Sequence, residues 1–223
     1  IMTAHRELKQ AIIDTCLRLE AMGYVIGTYG NASARVPEGV IVTPSRVDYH
    51  SITPEDMVTV NAEGTVIDGE RLPSSETDVH RLIYLARPDV GAVLHTHSFY
   101  ATALSCLHET VPVIVEEQSQ VVGDAIRCAP YVPAGQHAKL GEAVAGTLGA
   151  SNGVLLANHG VVACGRDVSE ALFAAQIIER VCQMYLMTRA ISAPVPIPDA
   201  FVRSERDRWL YKYGTRADHD GAH

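Results

Sequence analysis

The sequence has no surplus of positive charge. Its 18 lysines and arginines face 26 aspartates and glutamates, a formal net charge of −8. Without a basic field nothing general attracts a phosphate backbone or an anionic membrane, so nucleic-acid and membrane-surface binding are excluded as expectations. An anionic ligand would have to be held by something local. The chain also has no Cys-x-x-Cys pair: Cys16, Cys106, Cys128, Cys164 and Cys182 are odd in number and scattered, which argues against a disulfide framework or a zinc ribbon. Long apolar runs are missing too. Arg6, Glu7, Lys9, Asp14, Arg18 and Glu20 interrupt the N-terminal segment, and nothing later approaches the roughly 18 uncharged apolar residues of a membrane span. No repeat, low-complexity block or composition break divides the chain. At 223 residues and 47% hydrophobic, it reads as one globular domain over residues 1–223, cytoplasmic by its cysteine usage. What the chain does have is histidine, ten of them, a residue that serves as metal ligand and proton carrier.

Apolar spacing predicts an amphipathic helix over 4–22, stopped at Gly23. Short β-rich runs follow at 28–35, 39–45 and 57–69, separated by Gly, Pro and Asn. Pro73-Ser74-Ser75-Glu76-Thr77 reads as a helix start, with Arg87-Pro88 as its end; Val90–His97 reads as a strand, 98–107 as a helix and 112–117 as extended. A helix is expected over 135–148 and a buried strand over 154–157. Asn158-His159-Gly160 then turns into a partner strand at 161–164 and a long helix from 168 to about 191. Residues 192–200, with three prolines, are an extended connector to a C-terminal helix over 201–213 and a tail. Tyr24, Val25 and Ile26 are read as lying near a site entrance. Cys106, Cys128, Cys164 and Cys182, all in apolar runs, are read as small core residues.

The chemistry concentrates in three segments. In Leu94-His95-Thr96-His97, side chains two apart on a strand share a face, so two imidazoles stand side by side in a way that suits a divalent metal. His159, placed where a strand leaves the core and followed by Gly160, can reach a neighbouring strand's end, and three imidazoles leave a metal with an open position. Glu76 sits in the first turn of a helix, where a carboxylate is favoured; it can be a fourth ligand, a base beside the metal, or simply part of a capping box. Ser74 and Ser75 precede the same helix, whose unpaired N–H groups and positive dipole end can hold a phosphate without Lys or Arg, or can simply be N-capped. Gly30 allows close backbone approach, Asn31 and Thr43 offer neutral hydrogen-bonding groups, and Arg46 is an optional charge. The remaining histidines, His5, His50, His80, His108, His137, His219 and His223, lack a paired spacing and are read as structural.

GNAS (30–33), VTPS (42–45), LPSSE (72–76), RPDVGAVLHTHS (87–98), CAPY (128–131), LANHG (156–160) and KYGTR (212–216) together resemble the class II aldolase/adducin family, in order and spacing, over nearly the whole chain. The resemblance implies a single α/β/α domain with a mainly antiparallel central sheet, assembled as a homotetramer with sites between subunits. It implies a zinc site at His95, His97 and His159, with Mn²⁺ or Co²⁺ as alternatives. It implies Glu76 as metal neighbour and acid/base; Gly30, Asn31, Thr43, Ser74 and Ser75 as phosphate binders; and Tyr213 as a residue over the site. Where aldolases of the family carry a proton-donating tyrosine, this chain has Glu116, beside Glu117 and Gln118. The implied reaction is reversible cleavage of a small ketose 1-phosphate to dihydroxyacetone phosphate and an aldehyde. A sugar-phosphate 4-epimerase or a metal-dependent decarboxylase is the alternative, and a non-enzymatic association module is disfavoured because no proposed ligand is missing.

Overall fold

The computed structural model describes residues 5–213. Gly214, Thr215 and Arg216 of the KYGTR motif, and His219 and His223, lie outside the described residues. The first helix, α1 (Arg6–Ala21), buries Ile12, Ile13, Cys16 and Leu19 at helical spacing and ends before Gly23, whose φ of 73° is the left-handed conformation that closes a helix. Then come β1 (Asn31–Val36), β2 (Gly39–Val42), β3 (Val58–Val60), β4 (Val66–Asp68), α2 (Thr77–Ala86), β5 (Ala92–Thr96) and α3 (Phe99–Ser105). They are followed by β6 (Arg127–Ala129), α4 (His137–Leu148), β7 (Gly153–Leu156), β8 (Gly160–Gly165), α5 (Val168–Arg189) and α6 (Asp199–Tyr211).

The strands form one sheet in the order β4-β3-β2-β1-β5-β8-β7-β6, antiparallel throughout except for the parallel pair β6–β7. Strand alternation divides the core into two layers. Ala32 and Ala34 of β1, Ile41 of β2, Leu94 of β5, Leu155 of β7 and Val161 and Ala163 of β8 meet α1, α3 and α5 on one face. Val40 and Val42, Val93, Val154 and Leu156, and Val162 and Cys164 meet α2 and α4 on the other. The result is the α/β/α arrangement the resemblance implies, with a mostly antiparallel eight-stranded sheet. The long helix α5 begins where the Asp167 side chain accepts from the Glu170 backbone N–H at 2.9 Å. Among the described residues no helix is long and apolar enough to cross a membrane.

Three expectations need correction. Residues 112–117, read as extended, join no strand ladder and are not extended to their end: Val111 forms a single bridge to Ile126, Pro112 has no N–H to give a ladder, and the chain turns helical at Glu116. That turn runs into a π-helical turn, Gln118–Val122, ended by Gly123 at φ 88°. The Gln118 side chain accepts from the Ile114 N–H, which replaces the missing strand partner. Second, Arg127–Ala129, running into the CAPY motif, form a strand, β6, that their composition did not reveal. Third, Cys106 is exposed and Cys128 half-buried, whereas Cys164 and Cys182 are core residues as read, and Cys16 is buried as well.

Candidate active site

Sheet register assembles the site. Asn31 of β1 pairs opposite His95 of β5, and β5 pairs on its other side with β8. Alternation that points Leu94 at α1, α3 and α5 points His95 at α2, whose N-terminus carries Glu76. The β7–β8 hairpin closes with Leu156 paired to Gly160, so Ala157, Asn158 and His159 form its loop, with Asn158 in the left-handed region at φ 56°. Asn158 Oδ1 lies 2.6 Å from His108 Nε2, and its N–H donates to the Ser105 carbonyl at 3.2 Å, so the loop that presents His159 is tied to the end of α3. The start of α3 is tied as well: the buried Glu179 carboxylate of α5 accepts the N–H groups of Tyr100 and Ala101 at 2.8 and 2.9 Å.

His95, His97 and His159 converge with ligand nitrogens within 4.8 Å of one another and ring centres 4.8–5.0 Å apart. The Nδ1 of His95 donates to the Val161 carbonyl at 3.1 Å, which leaves the Nε2 lone pair facing the other rings. That Nε2 lies 3.1 Å from His97 Nε2, two basic nitrogens aimed at one another. Glu76 completes the cluster, Oε2 at 3.3 Å from His95 Nε2 and Oε1 at 3.2 Å from His159 Nε2. Converging imidazoles with a carboxylate are the donor set of a divalent transition metal, and the residues present fit one. Burial, then the charge of His95 and His159, lowers the His97 pKa to about 4; burial, then His95, lowers that of His159 to about 4 against the pull of Glu76. Both are therefore neutral, the ligating form, at pH 7. Burial pushes the Glu76 carboxyl up, but His95, His159 and the Asn31 amide outweigh it and hold it at about 2, so it is a carboxylate.

Gly160 is the packing limit of this cluster. A Cβ there would lie 2.5 Å from the Thr96 carbonyl oxygen and 3.1 and 3.2 Å from the rings of His97 and His95. Gly160→Ala is expected to push the rings apart, weakening divalent-metal affinity at least tenfold, the usual scale when the support behind a metal ligand is lost, and costing about 1–3 kcal/mol. Metal titration and thermal melting check this.

A cavity of about 560 Å³ opens beside Glu76, His97 and His159. Gly30, Asn31, Ser74 and Ser75 line it, and Arg46 is the one cationic side chain in its wall other than histidine. Gly30 adopts φ 138°, and a Cβ there would meet Val25 Cγ2 at 2.7 Å, so only glycine fits. Thr43 does not line this cavity: it is buried beneath it, its Oγ1 accepting the Ala32 N–H at 3.2 Å and its carbonyl the Ser74 N–H at 3.0 Å. The helix α2 starts at Thr77, later than read. Glu76 occupies the cap position but its carboxylate turns inward to Asn31 Nδ2, at 2.8 Å, instead of capping the backbone. A second cavity, about 240 Å³, lies on the other side of Glu76 and His159, with Val132, Pro133, Ala134 and Leu140 as apolar walls and Tyr131 and His137 beside them. These residues, not Tyr24, Val25 and Ile26, form the apolar wall next to the cluster.

Glu116 and Tyr213 line neither cavity. Glu116 is exposed at the helical turn before Gln118, a segment held by Arg206 of α6 through the Gln120 and Val121 carbonyls. Tyr213 stacks on Trp209 with centroids 4.8 Å apart, and Trp209 packs on Phe173. Sequence reading also missed His80, which is completely buried behind Asn31. Burial, then His95, lowers its pKa to about 3, whereas the unfolded chain protonates near 6.5. Between these values only the unfolded state takes the proton, so this contribution to stability is complete above pH 6.5 and is lost as pH falls towards 3, by up to about 1.4 kcal/mol per pH unit. Denaturant midpoints of the metal-free protein should fall with pH across that window, less steeply in His80→Gln.

Residues 10–186 match the family model described as class II aldolase and adducin N-terminal domain. The chain is 38% identical to an L-fuculose phosphate aldolase of Escherichia coli (strain K12), over 86% of this chain and 88% of that protein. It is 36% identical to a 5-deoxy-D-ribulose 1-phosphate aldolase of Bacillus thuringiensis, over 86% of this chain and 90% of that one. A solved L-fuculose 1-phosphate aldolase superimposes with a TM-score of 0.89 at 31% identity, covering 93% of this chain and 98% of the other.

Proposed function

The chain belongs to the class II aldolase and adducin family, a lyase of metal-dependent chemistry, and from that premise we propose that it reversibly cleaves a small ketose 1-phosphate into dihydroxyacetone phosphate and an aldehyde. The observation that carries this reading is the meeting of the imidazole cluster and an ionised Glu76 with a cavity walled by hydroxyl, amide and glycine groups. His95, His97 and His159 would hold a divalent metal, Zn²⁺ or alternatively Mn²⁺ or Co²⁺, with Glu76 adjoining it. Such a metal, when bound, would supply a Lewis acid for the ketose carbonyl. Ser74 and Ser75 beside the start of α2, with Gly30, Asn31 and the nearby Arg46, would hold the phosphate. Thr43 would act from beneath, by fixing Ser74. In the condensation direction Glu76 takes a proton from C3 of dihydroxyacetone phosphate, and in cleavage it returns one to C3 as the C3–C4 bond breaks.

The proton on the C4 oxygen is assigned to Glu116 or Tyr213 of a neighbouring copy in a homotetramer, since within one chain neither lines the two cavities beside the cluster. The apolar walls of the smaller cavity fit an aldehyde ending in a methyl group better than one ending in a hydroxyl. Relatives named for fuculose phosphate and 5-deoxyribulose 1-phosphate support this choice. The test is a panel of fuculose, rhamnulose, ribulose, 5-deoxyribulose and methylthioribulose 1-phosphates, with released dihydroxyacetone phosphate followed by a coupled dehydrogenase. Higher kcat/KM for the deoxy members than for ribulose 1-phosphate is expected. Metal-loaded protein that releases no dihydroxyacetone phosphate from any of them overturns the reading.

A further inference from the structure

Strand β1 and helix α2 mesh their polar side chains into a single buried file. Alternate residues of β1, Asn31, Ser33 and Arg35, face α2; on α2 and its cap, residues four apart, Glu76, His80 and Tyr84, face β1. Two strand residues advance about 6.7 Å and four helical residues about 6 Å, so the rows interdigitate. Asn31 Nδ2 lies 2.8 Å from Glu76 Oε2, His80 Nε2 2.5 Å from Asn31 Oδ1, Ser33 Oγ 2.6 Å from His80 Nδ1, and Tyr84 Oη 2.8 Å from Ser33 Oγ. Beyond Tyr84, the Arg35 guanidinium sits 4.8 Å from the ring centre and donates to the Tyr84 and Arg87 carbonyls, closing the file. Ser33 and His80 are 0% exposed, Tyr84 3% and Asn31 7%.

The end of the file fixes the direction of every bond. An ionised carboxylate only accepts, so Asn31 offers its NH₂ to Glu76 and its carbonyl oxygen to His80. That oxygen also only accepts, so His80 carries its proton on Nε2. The Nδ1 lone pair then takes the Ser33 hydroxyl proton, and the Ser33 oxygen accepts from Tyr84. All four donors point towards Glu76. The opposite His80 tautomer would turn the Asn31 amide around and set a carbonyl oxygen against the carboxylate.

We propose that His80 is a positioning residue for the aldol reaction, holding the Asn31 amide so that it ties Oε2 of Glu76 and leaves Oε1 towards His159 and the reacting carbon. This rests on the acid/base role of Glu76 proposed above. Complete burial and the absence of a proton on Nδ1 make His80 a relay of orientation, since it touches neither the cavity nor the metal-ligating rings.

The test uses metal-loaded full-length protein and dihydroxyacetone phosphate as the probe, with deuterium uptake at C3 followed by proton NMR, so that no aldehyde is needed. His80→Leu is expected to slow exchange about 10–100-fold, the usual range for groups that orient an active-site residue, with metal content unchanged. His80→Gln, whose amide again offers one donor and one acceptor, should recover most of the rate. Equal slowing in both variants, or wild-type exchange in His80→Leu, overturns the proposal. Should His80→Leu fail to fold, Ser33→Ala, which removes the donor to Nδ1, is expected to slow exchange, and an unchanged rate overturns it. Nitrogen-15 NMR of the metal-free wild-type protein gives a readout without turnover: His80 should be the neutral Nε2–H tautomer, and an Nδ1–H tautomer overturns the file. Metal-loaded wild-type protein with no C3 exchange would instead overturn the aldolase reading, leaving the tautomer result to judge the file by itself.

Discussion

Glu76→Gln should retain divalent metal and lose turnover. Glutamine keeps the length of the side chain and an oxygen that can accept the Asn31 amide, a bond of 2.8 Å in this structure. It cannot take a proton at C3. Loss of a positioned acid/base group costs about 10²–10⁴-fold, and the loss should fall on kcat. Elemental analysis of the purified variant should give the wild-type metal stoichiometry, because His95, His97 and His159 are untouched. A fully active Glu76→Gln enzyme would remove Glu76 from the mechanism, while a metal-free one would make it an essential ligand.

His95→Ala should lose metal, activity and stability together. The ring is 99% buried and makes two kinds of contact: Nδ1 with the Val161 carbonyl, and Nε2 with the cluster. Truncation leaves a cavity and an unpaired carbonyl inside the sheet, together about 2–4 kcal/mol. His97→Ala provides the contrast. Its ring is partly exposed and, among the described residues, bonds to no carbonyl, so metal and turnover should be lost with a smaller stability penalty. Denaturant unfolding of both variants in chelator separates the structural cost from the loss of bound metal. Equal stability of the two metal-free variants would contradict the burial argument.

What could be read in advance were features with a local period or a local stop. The alternation through Leu94-His95-Thr96-His97 and the run Leu155-Leu156 before Asn158-His159-Gly160 are visible without any partner, and these segments are strands and a hairpin loop. The segment Pro112–Glu117 misled because its apolar residues look like a strand while Pro112 withholds a donor and the Gln118 side chain satisfies Ile114. Strand β6 was hidden for the opposite reason: three residues pairing in parallel with β7 leave little pattern of their own. His80 escaped because its meaning lies in two rows at once. Neither Glu76-His80-Tyr84 nor Asn31-Ser33-Arg35 is suggestive alone, and only the packing of α2 on β1 brings them together. The placement of Glu116 and Tyr213 outside the two cavities could not be read from their motifs, which carry no information on how α6 and the Gln118–Val122 turn pack.

Strand alternation also has a practical consequence for engineering. Along β1 and β5, Ala32, Ala34 and Leu94 belong to the apolar core shared with α1, α3 and α5, while their immediate neighbours Asn31, Ser33 and His95 carry the polar apparatus. Apolar packing and the polar groups of the candidate site therefore sit on opposite faces of the same strands. A library confined to the first side can be screened for heat resistance alone, and one confined to Tyr131, Val132, Pro133, Ala134 and Leu140 for new aldehydes, with the two sets of gains expected to combine additively.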